Sequence, residues 1–343
     1  MKPIRVALET QFAFGTPTGL GTYARKLAAA LRQRADVVLL EIFQSGVDIW
    51  RFDRRVWWDQ VIAPRVARKL RADVTHFTGG TLSLWSPHPC VLTLHDLAWL
   101  SGAVRGKFYS RAYFATAQRL LVRKADRIAA DTATARDEIV ARLRIGPEKI
   151  AIAGAGVDEE WFAIAREPED PPFALAVGTV EARKDLETAV RALVHVPALA
   201  LVSVGAQTPY AQRVQSVAEE IGVVHRVHLR GYVDEPTLRT LYAKARVLVF
   251  PSRYEGFGLP PLQALAARLP VVASAIPVLH EVLGDCALFA KAGDERAFAD
   301  ALTRVLRDDA ALRPMLERGQ MRAREFTWTA VAQRLVGLYR ELA

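Results

Sequence analysis

Short apolar segments alternate with amphipathic segments along almost the whole chain, and this alternation limits the possible folds more than any other feature. A short apolar run followed by a helical segment is typical of a β–α unit, and repeated units build parallel sheets covered by helices. The chain is therefore predicted to be an α/β protein. The predicted strands are Ile4–Glu9, Val37–Phe43, Val74–Phe77, Cys90–His95, Arg127–Ala130, Lys149–Ile152, Phe173–Val180, Ala200–Gly205, Arg226–Leu229, Ala245–Pro251, Pro270–Ser274 and Ala287–Ala290.

The alternation of strands and helices stops once, near the middle of the chain, and then restarts. The interruption ends at the adjacent Pro171 and Pro172, through which no helix can continue. We therefore predict two Rossmann-like domains that face a central cleft at the carboxyl ends of their sheets, over residues 1–168 and 169–326. Residues 327–343 form a final amphipathic helix. Further helices are predicted at Gly21–Arg34, Arg54–Leu70, Phe108–Lys124 and Ala133–Leu143.

The composition agrees with two folded domains. The 343 residues are 51% hydrophobic, which is enough for two cores, and no apolar run reaches the roughly 18 residues of a membrane span. The N-terminus enters a strand at once, and Cys90 and Cys286 lie in separate apolar runs as buried thiols, which indicates a reducing, cytoplasmic location. The formal charge of +9 either attracts polyanions or belongs to a solvated, arginine-rich surface.

A glycine-rich segment, Gly15 to Ala24, follows the first predicted strand and precedes the first helix. Gly19 and Gly21 let backbone N–H groups approach a phosphate at the positive end of that helix, so both are candidate nucleotide-binding residues. The spacing also matches the dinucleotide fingerprint of a dehydrogenase, although the loop after Glu9 is longer than the tight turn of that fingerprint. A plain connecting loop is the third interpretation.

Two later segments place charged residues directly after predicted strands. Arg183 and Lys184 follow the first strand of the second half, where two adjacent cations beside a helix start can hold a diphosphate. Glu255 begins the string Glu-Gly-Phe-Gly-Leu-Pro-Pro between a strand and a helix, and a carboxylate there can bind sugar hydroxyls. A solvated cation pair and a helix-capping glutamate are the alternatives.

These motifs resemble those of glycosyltransferase family 4. Residues 255–260 match the family string Glu-Gly-Phe-Gly-Leu-Pro, and residues 178–186 are similar to its Gly-Thr-x-Glu-Pro-Arg-Lys-Asn-Leu. Residues 156–158 resemble the end of its Asn-Gly-Val-Asp, and residues 326–328 resemble the start of its final helix, so the resemblance covers nearly the whole chain. It implies the two-domain GT-B fold, in which the final helix crosses back to the N-terminal domain.

The resemblance also implies roles for individual residues. Arg183, Lys184 and Glu255 are expected to be catalytic, and the donor is expected to lie on the second domain. Gln263 stands where the family has a second glutamate, and Ala182 replaces a proline. We expect Gln263 to bind the donor ribose despite the missing carboxylate. The expected donor-binding residues are Gly19, Gly21, Thr179, Tyr232, Val233, Gly256, Phe257, Gly258, Leu259 and Gln263.

A second candidate catalytic pair is His95-Asp96, which a predicted strand delivers to the edge of the cleft. In the mannosyltransferase-like branch of the family, a His-Asp pair at this position lies near the transferred sugar. A structural histidine is the alternative. A Ser-His-Asp triad is not supported, because the chain lacks a nucleophile elbow.

No metal or other cofactor is expected. His225, His228 and His280 lack the spacing of metal ligands, and no Asp-x-Asp pair is present for a metal–diphosphate complex. Arg183, Lys184 and helix dipoles are expected to neutralise the leaving phosphate instead.

The segment from Leu97 to Ala125 contains no acidic residue and mixes basic with aromatic side chains. This combination is typical of contact with an anionic membrane surface, whereas a packed helix with outward arginines is the alternative. Nucleic acid is not expected as a partner, since no recognised binding module accompanies the segment. The candidate contacts on this membrane or acceptor side are Arg105, Lys107, Arg111, Arg119 and Arg123.

The resemblance predicts a retaining hexosyltransferase. The expected donor is GDP-mannose or a related GDP- or UDP-sugar, and the expected acceptor is a lipid-linked or cell-envelope saccharide. The expected location is cytoplasmic or peripheral on the inner face of the cytoplasmic membrane. A non-catalytic nucleotide- or glycan-binding protein of the same fold is the first alternative, which Gln263 favours. A dinucleotide-dependent oxidoreductase is the second.

Overall fold

The computed structural model describes residues 2–14, 18–49, 51–98, 100, 113–307 and 309–343. The chain divides into two compact units. The first comprises residues 1–156 together with 328–343, and the second comprises residues 157–327. Each unit is built around one six-stranded sheet in which every recorded pair of neighbouring strands is parallel. The predicted α/β class is therefore confirmed.

The first unit contains a sheet with the strand order β2-β1-β3-β4-β5-β6. The order reverses between β1 and β3, which makes that position the topological switch point. The C-terminal helix α14, Trp328–Arg340, belongs to this unit and packs against α1. The other elements are β1 Ile4–Glu9, α1 Gly19–Arg32, β2 Val37–Ile42, α2 Phe52–Trp57, α3 Ala63–Leu70, β3 Val74–Phe77, β4 Cys90–Leu94, α4 Arg119–Leu121, β5 Arg127–Ala130, α5 Ala133–Leu143 and β6 Ile150–Ile152.

The second unit contains a sheet with the strand order β12-β11-β10-β7-β8-β9. Its switch point lies between β7 and β10. The elements are α6 Glu159–Phe162, β7 Phe173–Val177, α7 Leu186–Ala192, β8 Ala200–Val204, α8 Tyr210–Glu220, β9 Val227–Leu229, α9 Glu235–Lys244, β10 Val247–Phe250, α10 Leu259–Ala266, β11 Val271–Ser274, α11 Pro277–Leu283, β12 Leu288–Ala290, α12 Glu295–Arg307 and α13 Asp309–Arg324.

The predicted strands are present, but several end earlier than predicted. The strand predicted to reach Val180 ends at Val177, because Gly178 takes a φ of +141° and breaks the extended backbone. The helix predicted at Arg54–Leu70 is interrupted by a π-helical turn at Trp58–Ile62. Of the helix predicted at Phe108–Lys124, the described part begins at residue 113 and mixes π, α and 3-10 geometry.

The division between the units falls at residue 156, upstream of the boundary predicted at residue 168. The intervening segment is bound to the second unit. The Arg166 guanidinium donates to the carbonyls of Tyr242, Ala243 and Ala245, and the Glu167 N–H donates to the Ala243 carbonyl at 2.9 Å. Residues at the predicted interruption between the two halves therefore pack along the end of α9.

Both cores consist of the inward faces of the sheets and their covering helices. In the first unit, Trp58 and Leu27 are fully buried, and in the second, Val214 and Phe298 are. Cys90 and Cys286 are buried free thiols, which confirms that part of the prediction. Among the described residues, no helix has both the length and the apolar character needed to cross a bilayer.

Candidate active site

Several charged side chains of the second unit meet at its switch point. Strands β7 and β10 are neighbours in the sheet, and the loops that leave their carboxyl ends run side by side. The Arg253 N–H of one loop donates to the Arg183 carbonyl of the other at 2.8 Å. Ligands of open α/β sheets bind at this position, because the loops diverge there and leave a crevice.

Glu255 and the two predicted cations form one ion-paired cluster. Lys184 Nζ lies 2.6 Å from Glu255 Oε1, and Arg183 Nη1 lies 3.4 Å from Glu255 Oε2. The Glu255 side chain is only 8% exposed. Burial by itself would raise its pKa, but Lys184 and then Arg183 outweigh burial and hold the pKa below its ordinary value. The carboxylate is therefore ionised at neutral pH.

Further ion pairs surround this cluster. Arg183 Nε lies 2.7 Å from Glu181 Oε1, and Arg253 Nε donates to Asp185 Oδ2 at 2.7 Å. Asp185 also accepts from the Thr188 hydroxyl at 2.8 Å, which holds its left-handed backbone at the start of α7. Each cation thus has a carboxylate partner, so an incoming anion competes with carboxylates for Arg183 and Lys184.

Two glycines allow the backbone to form this crevice. Gly178 ends β7 at a φ of +141°, and the Lys184 side chain passes beside its Cα. A Cβ on Gly205, after β8, would lie 2.1 Å from the Gly178 carbonyl oxygen, so no larger residue fits there. A pocket at this edge is lined by Gly178, Thr179, Lys184, Ser203, Phe250 and Ser252, among others.

The other predicted donor-binding residues of the second unit lie on nearby loops and on α10. Gly258 has a φ of +105° and immediately precedes α10, whose first residue is Leu259. Phe257 is buried with its ring centroid 5.7 Å from that of Phe326. Gln263 is the fifth residue of α10, in its second turn.

The loop after β9 holds two of the residues expected to bind the donor. Tyr232 is 60% exposed and Val233 is half-buried. Gly256, which precedes Phe257, is half-buried in the loop that carries Glu255. An exposed aromatic ring at the end of a strand is available for stacking on a flat ligand.

In the first unit, His95 and Asp96 directly follow β4, and their side chains have different hydrogen-bond partners. His95 Nδ1 lies 2.7 Å from Asp131 Oδ2, whereas Asp96 Oδ1 accepts from the Ala98 N–H at 3.0 Å. Asp131 directly follows β5, the neighbour of β4, so strand register brings it beside His95. Burial by itself would lower the pKa of His95, but Asp131 and then Asp96 outweigh burial and raise it.

The start of α1 is capped by a side chain and belongs to the first unit, whereas the Arg183 cluster belongs to the second. The Thr18 hydroxyl caps the helix by accepting from the Gly21 N–H at 3.2 Å. A Cβ on Gly21 would lie 2.3 Å from the Phe12 carbonyl oxygen, so close backbone packing requires this glycine. Gly19 is the exposed first residue of the helix.

A buried carboxylate that the sequence interpretation missed lies at the first unit's switch point. Glu9 ends β1, and its carboxylate accepts from Trp58 Nε1 at 2.7 Å and from the N–H groups of Thr78 and Gly79 at 3.1 Å each. Burial raises its pKa to about 7, although Arg55 opposes the shift. A carboxylate at the carboxyl end of a buried strand was the available signal.

One group of potential metal ligands occurs in the described part of the chain. The ligand atoms of His88, Cys90 and Asp126 lie within 4.8 Å of one another. They sit at the amino edge of β4 and β5, away from the strand ends that carry His95 and Asp131. Asp126 Oδ2 already accepts from His88 Nδ1 and from the Cys90 N–H, both at 2.7 Å, so hydrogen bonds account for the arrangement.

The predicted membrane or acceptor side is described only in part, because Arg105, Lys107 and Arg111 lie outside the described residues. Arg119 Nη2 donates to the Arg142 carbonyl at 3.0 Å, and Arg123 donates twice to the Leu143 carbonyl. These two carbonyls end α5, so both cations also balance the negative end of a helix. Their side chains remain at the surface.

Two sheets of this topology, each with polar loops at its carboxyl edge, define the GT-B class of proteins. The family model Glycosyltransferase Family 4 matches residues 17–161, and the model Glycosyl transferases group 1 matches residues 157–324. The first match includes His95 and Asp131, and the second includes Arg183, Lys184 and Glu255. The chain therefore carries glycosyltransferase group 1 and family 4 domains, as the sequence motifs predicted.

Individual proteins are similar to this chain in sequence or in fold. The O-antigen chain mannosyltransferase RfbU of Salmonella typhimurium is 30% identical over 215 residues, which cover 62% of this chain and 60% of that protein. Sucrose-phosphate synthase from Thermosynechococcus elongatus superimposes with a TM-score of 0.79 at 21% identity, covering 98% of both chains. Anabaena HepE in complex with UDP and glucose has a TM-score of 0.74 at 15% identity, covering 99% of this chain and 100% of its own.

Proposed function

We propose that the protein is a retaining hexosyltransferase that moves mannose from GDP-mannose, or a hexose from a related GDP- or UDP-sugar, to a saccharide or lipid-linked acceptor. The observation that carries this proposal is the cluster of Arg183, Lys184 and Glu255 at the β7/β10 switch point. The mannosyltransferase named among the relatives supports mannose, and the UDP complex of HepE supports a nucleotide-sugar donor.

The roles of the cluster follow from charge. Arg183 and Lys184 bind the donor diphosphate, and Glu255 accepts hydrogen bonds from hydroxyls of the transferred sugar. Because Glu255 is held ionised between two cations, it is positioned before the donor arrives, and no reorganisation is needed during the reaction. Gln263 binds the ribose, Tyr232 and Val233 contact the base, and the backbone around Thr179 and Gly256–Leu259 cradles the donor.

Transfer proceeds on the front face of the sugar. The bond from the anomeric carbon to the diphosphate breaks, the bond to the acceptor oxygen forms on the same face, and the acceptor proton passes to the leaving phosphate. Catalysis then rests on positioning and charge stabilisation. The cations of the cluster supply the positive charge for the leaving group, so we propose that no metal is required.

The test measures release of nucleoside diphosphate from a panel of GDP- and UDP-sugars, with and without lipid-linked saccharide acceptors and with and without EDTA. Lys184→Ala should weaken nucleoside-diphosphate binding by about 10- to 150-fold, since a charge-assisted contact is worth about 1.5–3 kcal/mol. Lys244→Ala is the matched control, because Lys244 makes an ion pair of the same 2.6 Å length with Glu169 in the same unit. Nucleotide binding without transfer from any donor would instead favour the non-catalytic alternative.

We also propose that the first unit contacts an anionic membrane surface, which would bring the enzyme to a lipid-linked acceptor. Besides Arg119 and Arg123, the described part of this unit exposes Trp57, Trp85 and Leu120. Exposed aromatic and aliphatic side chains beside surface arginines are typical of interfacial binding.

Cosedimentation with vesicles tests the membrane contact. Arg119→Glu should lower binding to vesicles containing phosphatidylglycerol, and added salt should weaken binding of the wild type in the same way. Arg213→Glu is the control, because Arg213 is an exposed arginine of the second unit. Equal binding to phosphatidylglycerol-containing and pure phosphatidylcholine vesicles would contradict an electrostatic contact.

A further inference from the structure

The pairing of His95 with Asp131 depends on strand register. Strands β4 and β5 are parallel neighbours with Leu94 opposite Ala130, so the next residues of the two strands, His95 and Asp131, lie side by side. The distance from Nδ1 to Oδ2 is 2.7 Å, and the Asp131 side chain is only 4% exposed. A buried carboxylate at this distance stays in place only because it has a hydrogen-bond partner.

Two atoms of the pair are left without partners. Within the described part of the chain, His95 Nε2 and Asp131 Oδ1 are buried and make no hydrogen bond of ordinary geometry. The Thr78 backbone raises the pKa of His95 and so favours the protonated ring, although His95 Nε2 makes no hydrogen bond of ordinary distance and angle to it. A buried ring nitrogen without a partner destabilises the ligand-free protein, and a hydrogen bond to a polar ligand atom removes that penalty.

The hydrogen bond to Asp131 decides which proton His95 keeps. A carboxylate only accepts, so Nδ1 keeps its hydrogen whether the ring is neutral or charged. Nε2 is then a hydrogen-bond acceptor in the neutral ring and a donor in the imidazolium ion. Without the carboxylate, the neutral ring could place its hydrogen on either nitrogen.

We propose that Asp131 is a positioning residue: it fixes the orientation and tautomer of His95, so that Nε2 is the atom available to a hydroxyl or phosphate oxygen of the substrate. The proposal rests on the proposed function for its catalytic consequence. Its physical core, the Asp131–His95 coupling, is independent of that function.

Other charged and titratable groups face this ring from several elements. Tyr23 of α1 lies edge-on to His95, with ring centroids 4.5 Å apart. Asp96 follows His95 in the chain and favours the charged ring, whereas His76 of β3 interacts with it but stays neutral, because burial lowers its pKa to about 3. Arg334 of α14 interacts with Tyr23. Asp131 is the group among these that bonds directly to the ring.

Asp131→Asn and Asp126→Asn form a matched pair of variants. Both carboxylates flank β5, and each lies 2.7 Å from the Nδ1 atom of a histidine, His95 in one case and His88 in the other. NMR titration of the histidine rings, with the His95 signal assigned through His95→Gln, measures the pKa in each protein. Asp131→Asn should lower the pKa of His95, and Asp126→Asn should leave it unchanged.

Turnover supplies the second readout. Asp131→Asn should reduce kcat/KM for the donor by about 10- to 150-fold, the loss typical of one charge-assisted hydrogen bond, and should shift the pH profile in the direction of the NMR titration. Asp126→Asn should retain wild-type turnover and profile. Asp131→Glu, which keeps the charge, should recover part of the loss.

The outcomes separate this proposal from the proposed function. An unchanged His95 pKa in Asp131→Asn, or equal effects of the two Asn variants on His95, would overturn the positioning role. If Asp131→Asn does not fold, the wild type decides: a His95 pKa at or below that of a free histidine contradicts the coupling. If no donor is turned over, the proposed function fails, while the titration still tests the Asp131–His95 pair.

Discussion

At the residue scale, Glu255 is a buried carboxylate held in ion pairs with two cations. Its carboxylate is buried and ionised because Lys184 and Arg183 hold it from two sides. The same carboxylate lowers the positive charge that these cations offer to a diphosphate. Under the proposed function, Glu255 therefore opposes nucleotide binding at the same time as it prepares the sugar subsite.

Glu255→Gln separates these two effects. The neutral side chain keeps its size, removes the Glu255 charge from beside Lys184 and Arg183, and should leave nucleoside-diphosphate affinity equal to or higher than that of the wild type. Transfer should fall by about 10- to 150-fold, since charge-assisted hydrogen bonds to the sugar are lost. Calorimetry with GDP and UDP, together with turnover, checks both parts. Affinity and turnover falling in parallel would mean that Glu255 serves the nucleotide.

Gln263 tests whether the missing family carboxylate matters. The half-buried side chain projects from the second turn of α10, and an amide can accept from one ribose hydroxyl and donate to the other. Gln263→Glu should change donor affinity, measured as KM, by less than about 30-fold. Gln263→Ala should weaken donor affinity more than Gln263→Glu does. If the wild type transfers no sugar while the Gln263→Glu variant does, the natural chain is a degenerate binding protein.

At the element scale, α14 is joined to the first sheet by a buried polar contact. His76 of β3 lies 2.6 Å from the Tyr339 hydroxyl through Nδ1 and 2.7 Å from the Thr93 hydroxyl through Nε2. Arg334 adds a hydrogen bond from Nε to the Ala153 carbonyl at 2.8 Å. The last helix in the chain thereby becomes part of the first unit.

Tyr339→Phe should destabilise the protein by about 1–3 kcal/mol, because it leaves a buried His76 nitrogen without a partner. Urea unfolding followed by circular dichroism measures the change. Tyr232→Phe is the control, since that hydroxyl is on an exposed side chain and should cost little. A loss for Tyr339→Phe no larger than that of the control would mean that the helix is held by apolar packing alone.

At the scale of the whole molecule, the pKa shifts of two buried groups in the first unit change the stability of the protein with pH in opposite directions. Burial lowers the pKa of His76 from 6.5 to about 3, so its contribution to stability is present above pH 6.5 and is lost as the pH falls. Burial raises the pKa of Glu9 from 4.5 to about 7, so its contribution is present below pH 4.5 and is lost as the pH rises through about 7. Between pH 4.5 and 6.5 the two trends cancel.

His76→Gln should remove one of these trends. Glutamine does not titrate, so stability should fall with rising pH across this window, with a slope about 1.4 kcal/mol per pH unit more negative than that of the wild type. Urea unfolding at several pH values measures the slope, and His88→Gln, at an exposed histidine of the same unit, is the control. Parallel curves for wild type and His76→Gln would show that His76 is not the buried neutral group described here.

Much of the candidate site could be predicted because its residues follow strands. Arg183, Lys184, Glu255 and His95 were all named from their positions after apolar runs, and the structure puts each at a carboxyl strand end. The partner of His95 could not be named in this way. Asp96 is adjacent in sequence, but successive residues after a strand point in different directions, whereas Asp131 is adjacent in the sheet.

The sequence by itself determined the elements, the motifs and the family, because apolar periodicity and glycine and proline positions act over a few residues. Only the tertiary structure decided the order of the strands, the Lys184–Glu255 and His95–Asp131 pairs, and the attachment of residues 157–167 to the second unit. Parallel strands form the same backbone hydrogen bonds with any neighbour, so local sequence does not specify the order. Packing of the whole chain selects it, and with it the side chains that meet.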